Sequence, residues 1–160
     1  MNAKALSQIK GVIFDLDNTL VSSSIDFKSL KKSIGCRHDD DILEFVKAIE
    51  SPECRLQAET KIEEHELNDA QSSNLLAGAH DLIEYLNLHQ IPNAIVTRNS
   101  QQSSQYKINK HNINIKTVIT RECFPPKPDP AALNHIAKQW QLNCCDILYV
   151  GDYLYDIQAA

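Results

Sequence analysis

The chain has 160 residues, 42% of them apolar and 23% charged, which is the size and balance of one compact folded domain and excludes a disordered chain. A formal net charge of -5 and a pI near 5.6 exclude the basic footprint of a nucleic-acid binder, while a small phosphorylated metabolite stays open as a partner. No apolar stretch approaches the roughly 18 to 20 residues of a membrane helix, and the opening MNAKALSQIK has no long apolar run of the kind a secretion signal needs. No membrane partner and a cytoplasmic location are therefore expected, with a monomer as the default state.

Gly11 to Leu16 (GVIFDL) is a short apolar run that ends in acids, followed by Asn18 and Thr19, the pattern of a buried strand entering a polar loop. From Val21 to about Ala77 no strand signal appears. Ile42, Phe45, Val46 and Ile49 fall at helical spacing there, and a long helix is expected from near Pro52 through Glu66, broken around Ser72, Ser73 and Asn74. Acidic runs at His38 to Asp41 and Glu63 to Glu66 read as a solvated helix start and a solvated helix face.

Leu82, Tyr85 and Leu86 share a helical face ahead of a second strand, Asn93 to Thr97. Lys116 to Thr120 is a third strand. A helix carrying Leu133, Ile136, Ala137 and Trp140, with Asp129 and Pro130 as N-cap and first residue, leads to a fourth strand at Asp146 to Val150. Strand and helix in alternation predict an α/β fold, a Rossmann-like parallel sheet with helices on both faces and an all-helical insertion after the first strand. The sequence reaches Ala160 inside the helix after the fourth strand, where such sheets normally add another strand, so a shortened sheet is expected. Cys36, Cys54, Cys123, Cys144 and Cys145 are an odd set without a CxxC pair, which fits inert thiols, the adjacent pair partly buried before a strand.

Four segments place polar residues where a parallel strand has just ended, the edge at which ligands bind in open α/β sheets. Asp15 and Asp17 flank Leu16, and strand alternation would aim both carboxylates to one side, a conflict that a divalent cation relieves. Taken alone, that pair could be a capped turn. Thr97, Arg98, Asn99 and Ser100 form a helix start able to hold an anion, although Arg98 also fits a solvated surface charge. Lys127 sits among Pro125, Pro126, Pro128 and Pro130, which stiffen its loop. In VGDYLYDIQAA, Gly151 allows a sharp turn, Asp152 points into the site, and Asp156 lies one helical turn on.

The order of these pieces is restrictive, and in it the chain resembles the haloacid dehalogenase superfamily, specifically its phosphoglycolate phosphatase-like branch with a helical cap. The resemblance covers essentially the whole chain. It implies a core of residues 1–20 and 78–160 and a helical cap of residues 21–77. By the same resemblance Asp15 is the nucleophile and Asp17 the general acid and base. Asn18, Thr97, Arg98, Asn99 and Lys127 bind the substrate phosphate. Magnesium (Mg2+) is held by Asp15, Asp17 through its backbone carbonyl, Asp152 and Asp156. The implied activity is that of a phosphatase, because the dehalogenase branch needs neither the second acid nor the metal. A phosphomutase and a fold-retaining, non-catalytic protein are the alternatives within the superfamily. A signalling receiver domain has its acceptor Asp on a middle strand and no cap, so the order of motifs speaks against it. Tyr153 and Leu154 depart from the smaller polar residues common at those positions.

Overall fold

A computed structural model describes residues 9–160. Four strands, β1 (Gly11–Phe14), β2 (Asn93–Val96), β3 (Thr117–Ile119) and β4 (Ile147–Val150), form one parallel sheet in the order β3-β2-β1-β4. These are the four expected strands, each one or two residues shorter than the apolar run that announced it. Alternation along each strand sends side chains to opposite faces, and both faces are covered. Val12, Phe14 and Ile95 pack against Ala79, Ile83 and Leu86 of α4 (Ala79–Leu88, numbered in chain order) and Ile108 of α5 (Gln101–Lys110). Ile13, Ala94, Val96 and Ile119 pack on the other side against Ala132 and Ile136 of α6 (Ala131–Trp140).

Some local expectations shift. The inward face of α4 is Ala79, Ile83 and Leu86, so Leu86 faces the sheet as expected, whereas Leu82 and Tyr85 are exposed. The start of α6 moves by one residue: Pro130 takes the cap position, and Asp129 accepts from the Ala131 N–H at 2.8 Å. Cys144 and Cys145 lie exposed in a 3-10 turn before β4 rather than partly buried, since that turn protrudes from the sheet edge. Gly11 has its own reason to lack a side chain. A Cβ there would stand 2.8 Å from the Trp140 ring, which closes over the start of β1.

Between β1 and α4 run three helices, α1 (Phe27–Ile34), α2 (Ile42–Lys47) and α3 (Pro52–Ser72). Their starts are capped by Asp26, Asp41 and Ser51, with Pro52 at the first turn of α3. Leu30, Ile42, Val46, Ala58 and Ile62 give these helices an apolar cluster separate from the sheet. The chain enters and leaves this unit side by side. Val21 bridges Leu75, Ser22 N–H donates to the Asn74 carbonyl at 2.8 Å, and Leu76 N–H donates to the Leu20 carbonyl at 2.9 Å. A last helix, α7 (Leu154–Ala159), follows β4. Among the described residues no helix is long and apolar enough to cross a membrane.

Candidate active site

The carboxyl ends of β1 and β4 are neighbours, and the Asp15 N–H donates to the Val150 carbonyl at 2.8 Å, so the acids that follow the two strands are brought together by the sheet itself. Lys127 reaches into them from the proline-rich loop. Its Nζ donates to Asp15 Oδ1 at 2.6 Å, to Asp156 Oδ1 at 2.6 Å and to the Tyr149 hydroxyl at 2.9 Å. An ammonium group has three protons, and all three are used. The Tyr149 hydroxyl in turn donates to Asp156 Oδ1 at 2.9 Å. Burial pushes the Asp15 carboxyl up to about 6, against the opposing pull of Lys127. Burial and the charges of Asp15 and Asp156 drive the Tyr149 hydroxyl well above its ordinary value, so it stays a neutral donor.

Asp15, Asp152 and Asp156 each offer an oxygen, and these lie within 4.8 Å of one another, the one such acidic group among the described residues. A set made only of carboxylate oxygens suits a hard divalent cation. Asp156 is held in place by the Tyr153 N–H, which donates to its Oδ2 at 3.0 Å. Gly151 matters here for a reason other than the expected sharp turn. Its backbone is not left-handed, but a Cβ would stand 2.5 Å from the Asp156 carboxyl carbon. Gly151→Ala should therefore push Asp156 out of the acidic group and lower turnover by at least about tenfold while the protein stays folded, measured as kcat alongside a thermal melt.

Asp17 does not join that group. The strand stops at Phe14, so alternation no longer governs the side chains beyond it, and the chain turns over Leu16 to Val21. The Asp17 carboxylate instead accepts from Lys107 Nζ at 2.5 Å and from Asn99 Nδ2 at 2.9 Å. Burial raises its pKa, with Lys107 pulling the other way. Asn18 adopts a left-handed backbone (φ 53°) and its Oδ1 accepts from the Ser23 N–H at 3.0 Å. Thr97 is buried and its Oγ1 accepts from the Asn99 N–H at 3.2 Å, while Ser100 caps α5. Arg98 is neither free for an anion nor a solvated charge: its Nη2 donates to Asp41 at 2.6 Å, its Nη1 to the Lys127 carbonyl, and its guanidinium lies 4.5 Å from the Tyr155 ring centre.

Several charged residues at this edge were not singled out in the sequence. Lys107 is fully buried and joins Asp17 to Asp69 of α3, whose Oδ2 is 2.7 Å from its Nζ. Glu66, expected on a solvated face, is buried against Arg121 and accepts from the Ser100 N–H at 3.1 Å. Asp41, expected on a solvated helix start, is tied to Arg98. Helix α3 packs on α5, and that contact removes Lys107, Asp69 and Glu66 from water. The repeated Ser103, Ser104 and Lys107 on the inner side of α5 were the available signal, a polar stripe where an apolar one would be ordinary. Tyr149, on β4, carried none beyond its place in a strand.

All nine side chains singled out in the sequence line one cavity of about 290 Å³ between the sheet edge and helices α1 to α3. Comparison with known proteins bears on what such a cavity does. The family model for haloacid dehalogenase-like hydrolases matches residues 21–160. A haloacid dehalogenase-like hydrolase domain-containing protein of Arabidopsis thaliana is 26% identical over 169 residues, covering 98% of this chain and 68% of the relative. The phosphoglycolate phosphatase of Photobacterium profundum is 36% identical over 93 residues, which covers 56% of this chain and 41% of that protein. Among solved structures, a hydrolase from Pseudomonas syringae superposes with a TM-score of 0.73 at 20% identity, over 94% of this chain and 78% of that one.

Proposed function

We propose, since this chain belongs to the haloacid dehalogenase-like hydrolase family, that it is a magnesium-dependent phosphatase acting on a small phosphorylated metabolite through a phosphorylated Asp15. The observation that carries this reading is the meeting of Asp15, Asp152, Asp156 and Lys127 at the ends of β1 and β4. The partial likeness to a phosphoglycolate phosphatase supports the reaction type.

Asp15 Oδ attacks phosphorus, the bond from phosphorus to the ester oxygen breaks, and Asp17 gives that oxygen its proton. Asp17 then takes a proton from water as the water oxygen attacks the phosphorus, which frees Asp15 and releases inorganic phosphate. Burial, which raises the Asp17 pKa, suits it to carry a proton at the start of this sequence. Lys127, Thr97 and the N–H groups after it offset charge on the non-bridging oxygens, and Lys127 gives up one of its three present acceptors to do so. Asn18 and Asn99 fix the loops around the phosphate. Magnesium, when bound by Asp15, Asp152, Asp156 and the Asp17 backbone carbonyl, neutralises carboxylates and phosphate in one place.

In the same reading residues 1–20 and 78–160 form the catalytic core and residues 21–77 a cap. Helices α1 to α3 roof the cavity, and Arg98 fastens their Asp41 to the core.

The test is release of inorganic phosphate from a panel of phosphorylated metabolites with magnesium present. Isomerised sugar phosphate in place of free phosphate would favour a mutase and sink the hydrolytic reading. Calorimetry checks the metal: Asp152→Ala should weaken magnesium binding by about tenfold or more, and unchanged binding would place the ion elsewhere.

A further inference from the structure

The cavity has a charged floor, the rim of the sheet, and a roof supplied by the helical unit, where Ile25, Phe27 and Leu43 line it. One cation sits in that roof. Lys31, in the last turn of α1, faces the same cavity as Asp15 and Lys127. A lysine near a helix C-terminus is ordinary, and its place alone would call for no ligand. Its partners give it a further use.

Among the described residues the cations lining the cavity are Lys31, Arg98 and Lys127. Arg98 is neutralised by Asp41 at 2.6 Å, and Lys127 by Asp15 and Asp156, each at 2.6 Å. Lys31 is held differently. Its Nζ donates to the backbone carbonyls of His38 and Asp40, each at 2.7 Å, and both acceptors are uncharged. The acids around it are taken by other cations: Asp40 by Arg37 at 2.8 and 2.9 Å, Asp41 by Arg98, and Glu66 by Arg121. An ammonium group has three protons, so one N–H of Lys31 remains unused on a half-buried side chain. The two carbonyls fix the nitrogen in place and leave its charge without a counter-ion. An anion bound beside it would supply one.

We infer that Lys31 binds substrate, and that the alcohol esterified to the phosphate carries a second anionic group, a carboxylate or a further phosphate, which pairs with the Lys31 ammonium. This rests on the phosphatase reading and narrows it to acidic esters. With the phosphate on the floor, the second anion meets the roof across a short carbon skeleton, because the cavity holds only about 290 Å³. Ile25, Phe27 and Leu43 offer that skeleton apolar surface, and the water they exclude would otherwise weaken the pairing.

The experiment compares kcat/KM for esters that differ at the end away from the phosphate, with magnesium present and p-nitrophenyl phosphate as a control for chemistry. One arm sets ω-phosphonooxy carboxylates of two to four carbons against their primary amides. A second sets ethylene glycol bisphosphate against 2-hydroxyethyl phosphate, and O-phosphoethanolamine supplies a cation in the same place. The best anionic ester should exceed its neutral counterpart by about tenfold or more, with O-phosphoethanolamine below the neutral esters. The arm that shows the preference tells carboxylate from phosphate. Lys31→Gln keeps two N–H donors for the carbonyls of His38 and Asp40 and removes the charge, so the anionic-to-neutral ratio should fall by about tenfold. A residue that only staples the loop would lower both kinds of ester alike. No preference for either anion in the wild-type protein, which needs no variant to measure, overturns the inference, as does a ratio that Lys31→Gln leaves unmoved. So does hydrolysis of p-nitrophenyl phosphate with none of the other esters; in these cases the phosphatase reading still stands. No phosphate from any ester, the control included, overturns that reading and this inference with it.

Discussion

Asp15→Asn should lower phosphate release by about 10⁴-fold or more, the scale at which an enzyme loses its nucleophile and keeps only binding and charge stabilisation. The amide has nearly the shape of the carboxyl and its oxygen can still accept from Lys127 Nζ, now 2.6 Å from Asp15 Oδ1, so the fold should survive. Stability provides the control. The folded protein holds the Asp15 proton up to about pH 6, whereas in the unfolded chain the group ionises near 3.8. The folded state thus binds the extra proton between those values. The stability this brings is complete below about 3.8 and is lost as pH rises through 6. In metal-free buffer the Asn variant, which never ionises, should match the wild type near pH 4 and melt higher than it at pH 7.5. Loss of activity together with that gain in melting temperature would separate chemistry from unfolding. Turnover equal to that of the wild type would contradict the assignment of Asp15.

Lys107→Met should produce the largest loss of stability of any single change considered. The ammonium is fully buried, with Asp17 at 2.5 Å and Asp69 at 2.7 Å, and its removal leaves two carboxylates with too few partners in a site that excludes water. Breaking a buried ion pair from one side typically costs about 3 to 5 kcal/mol. For a domain of this size that corresponds to a fall of roughly 10 °C in melting temperature. The stranded carboxyls should then take up protons in the folded state, so the deficit should be smaller at pH 5 than at pH 8. Lys107→Met combined with Asp69→Asn should recover part of the loss, because one uncompensated charge has gone. Urea melts of the three proteins at the two pH values check this, and a deficit under about 1 kcal/mol would mean that water reaches the ammonium after all.

The sheet was readable because its strands are β-branched apolar runs that must be buried on both faces, and nothing else in the chain has that composition. The residues at its rim were readable for a related reason: Asp15, Lys127 and Asp152 directly follow strands or sit in a loop stiffened by proline, so their placement is set locally. Asp17 lines the same cavity as Asp15. It lies three residues beyond Phe14, the last paired residue of β1, so strand geometry did not foretell that its carboxylate meets Lys107 and Asn99. Lys107, Asp69, Glu66 and Arg121 were unreadable for a different reason. A charged residue on a polar helix is ordinarily solvated, and only the docking of α3 onto α5 buries Lys107, Asp69 and Glu66, which Arg121 joins from the turn after β3. That contact joins residues 37 and 38 positions apart, which no local pattern encodes. Leu82 and Tyr85 show the same limit in reverse, since spacing identified a helix but not which of its sides the sheet would choose.

Val21 pairs through isolated bridges with Leu75, where the chain leaves the helical unit, and with Asp17 itself. The two crossings that connect this unit to the sheet are therefore stitched to the backbone of the proposed proton donor. If the unit swings, its pivot runs through Asp17, while Lys107 and Asp69 tether the same side chain to the moving arm. Shutting out bulk solvent and presenting the acid would then be a single stroke, so substitutions at the pivot should alter kcat and KM in step.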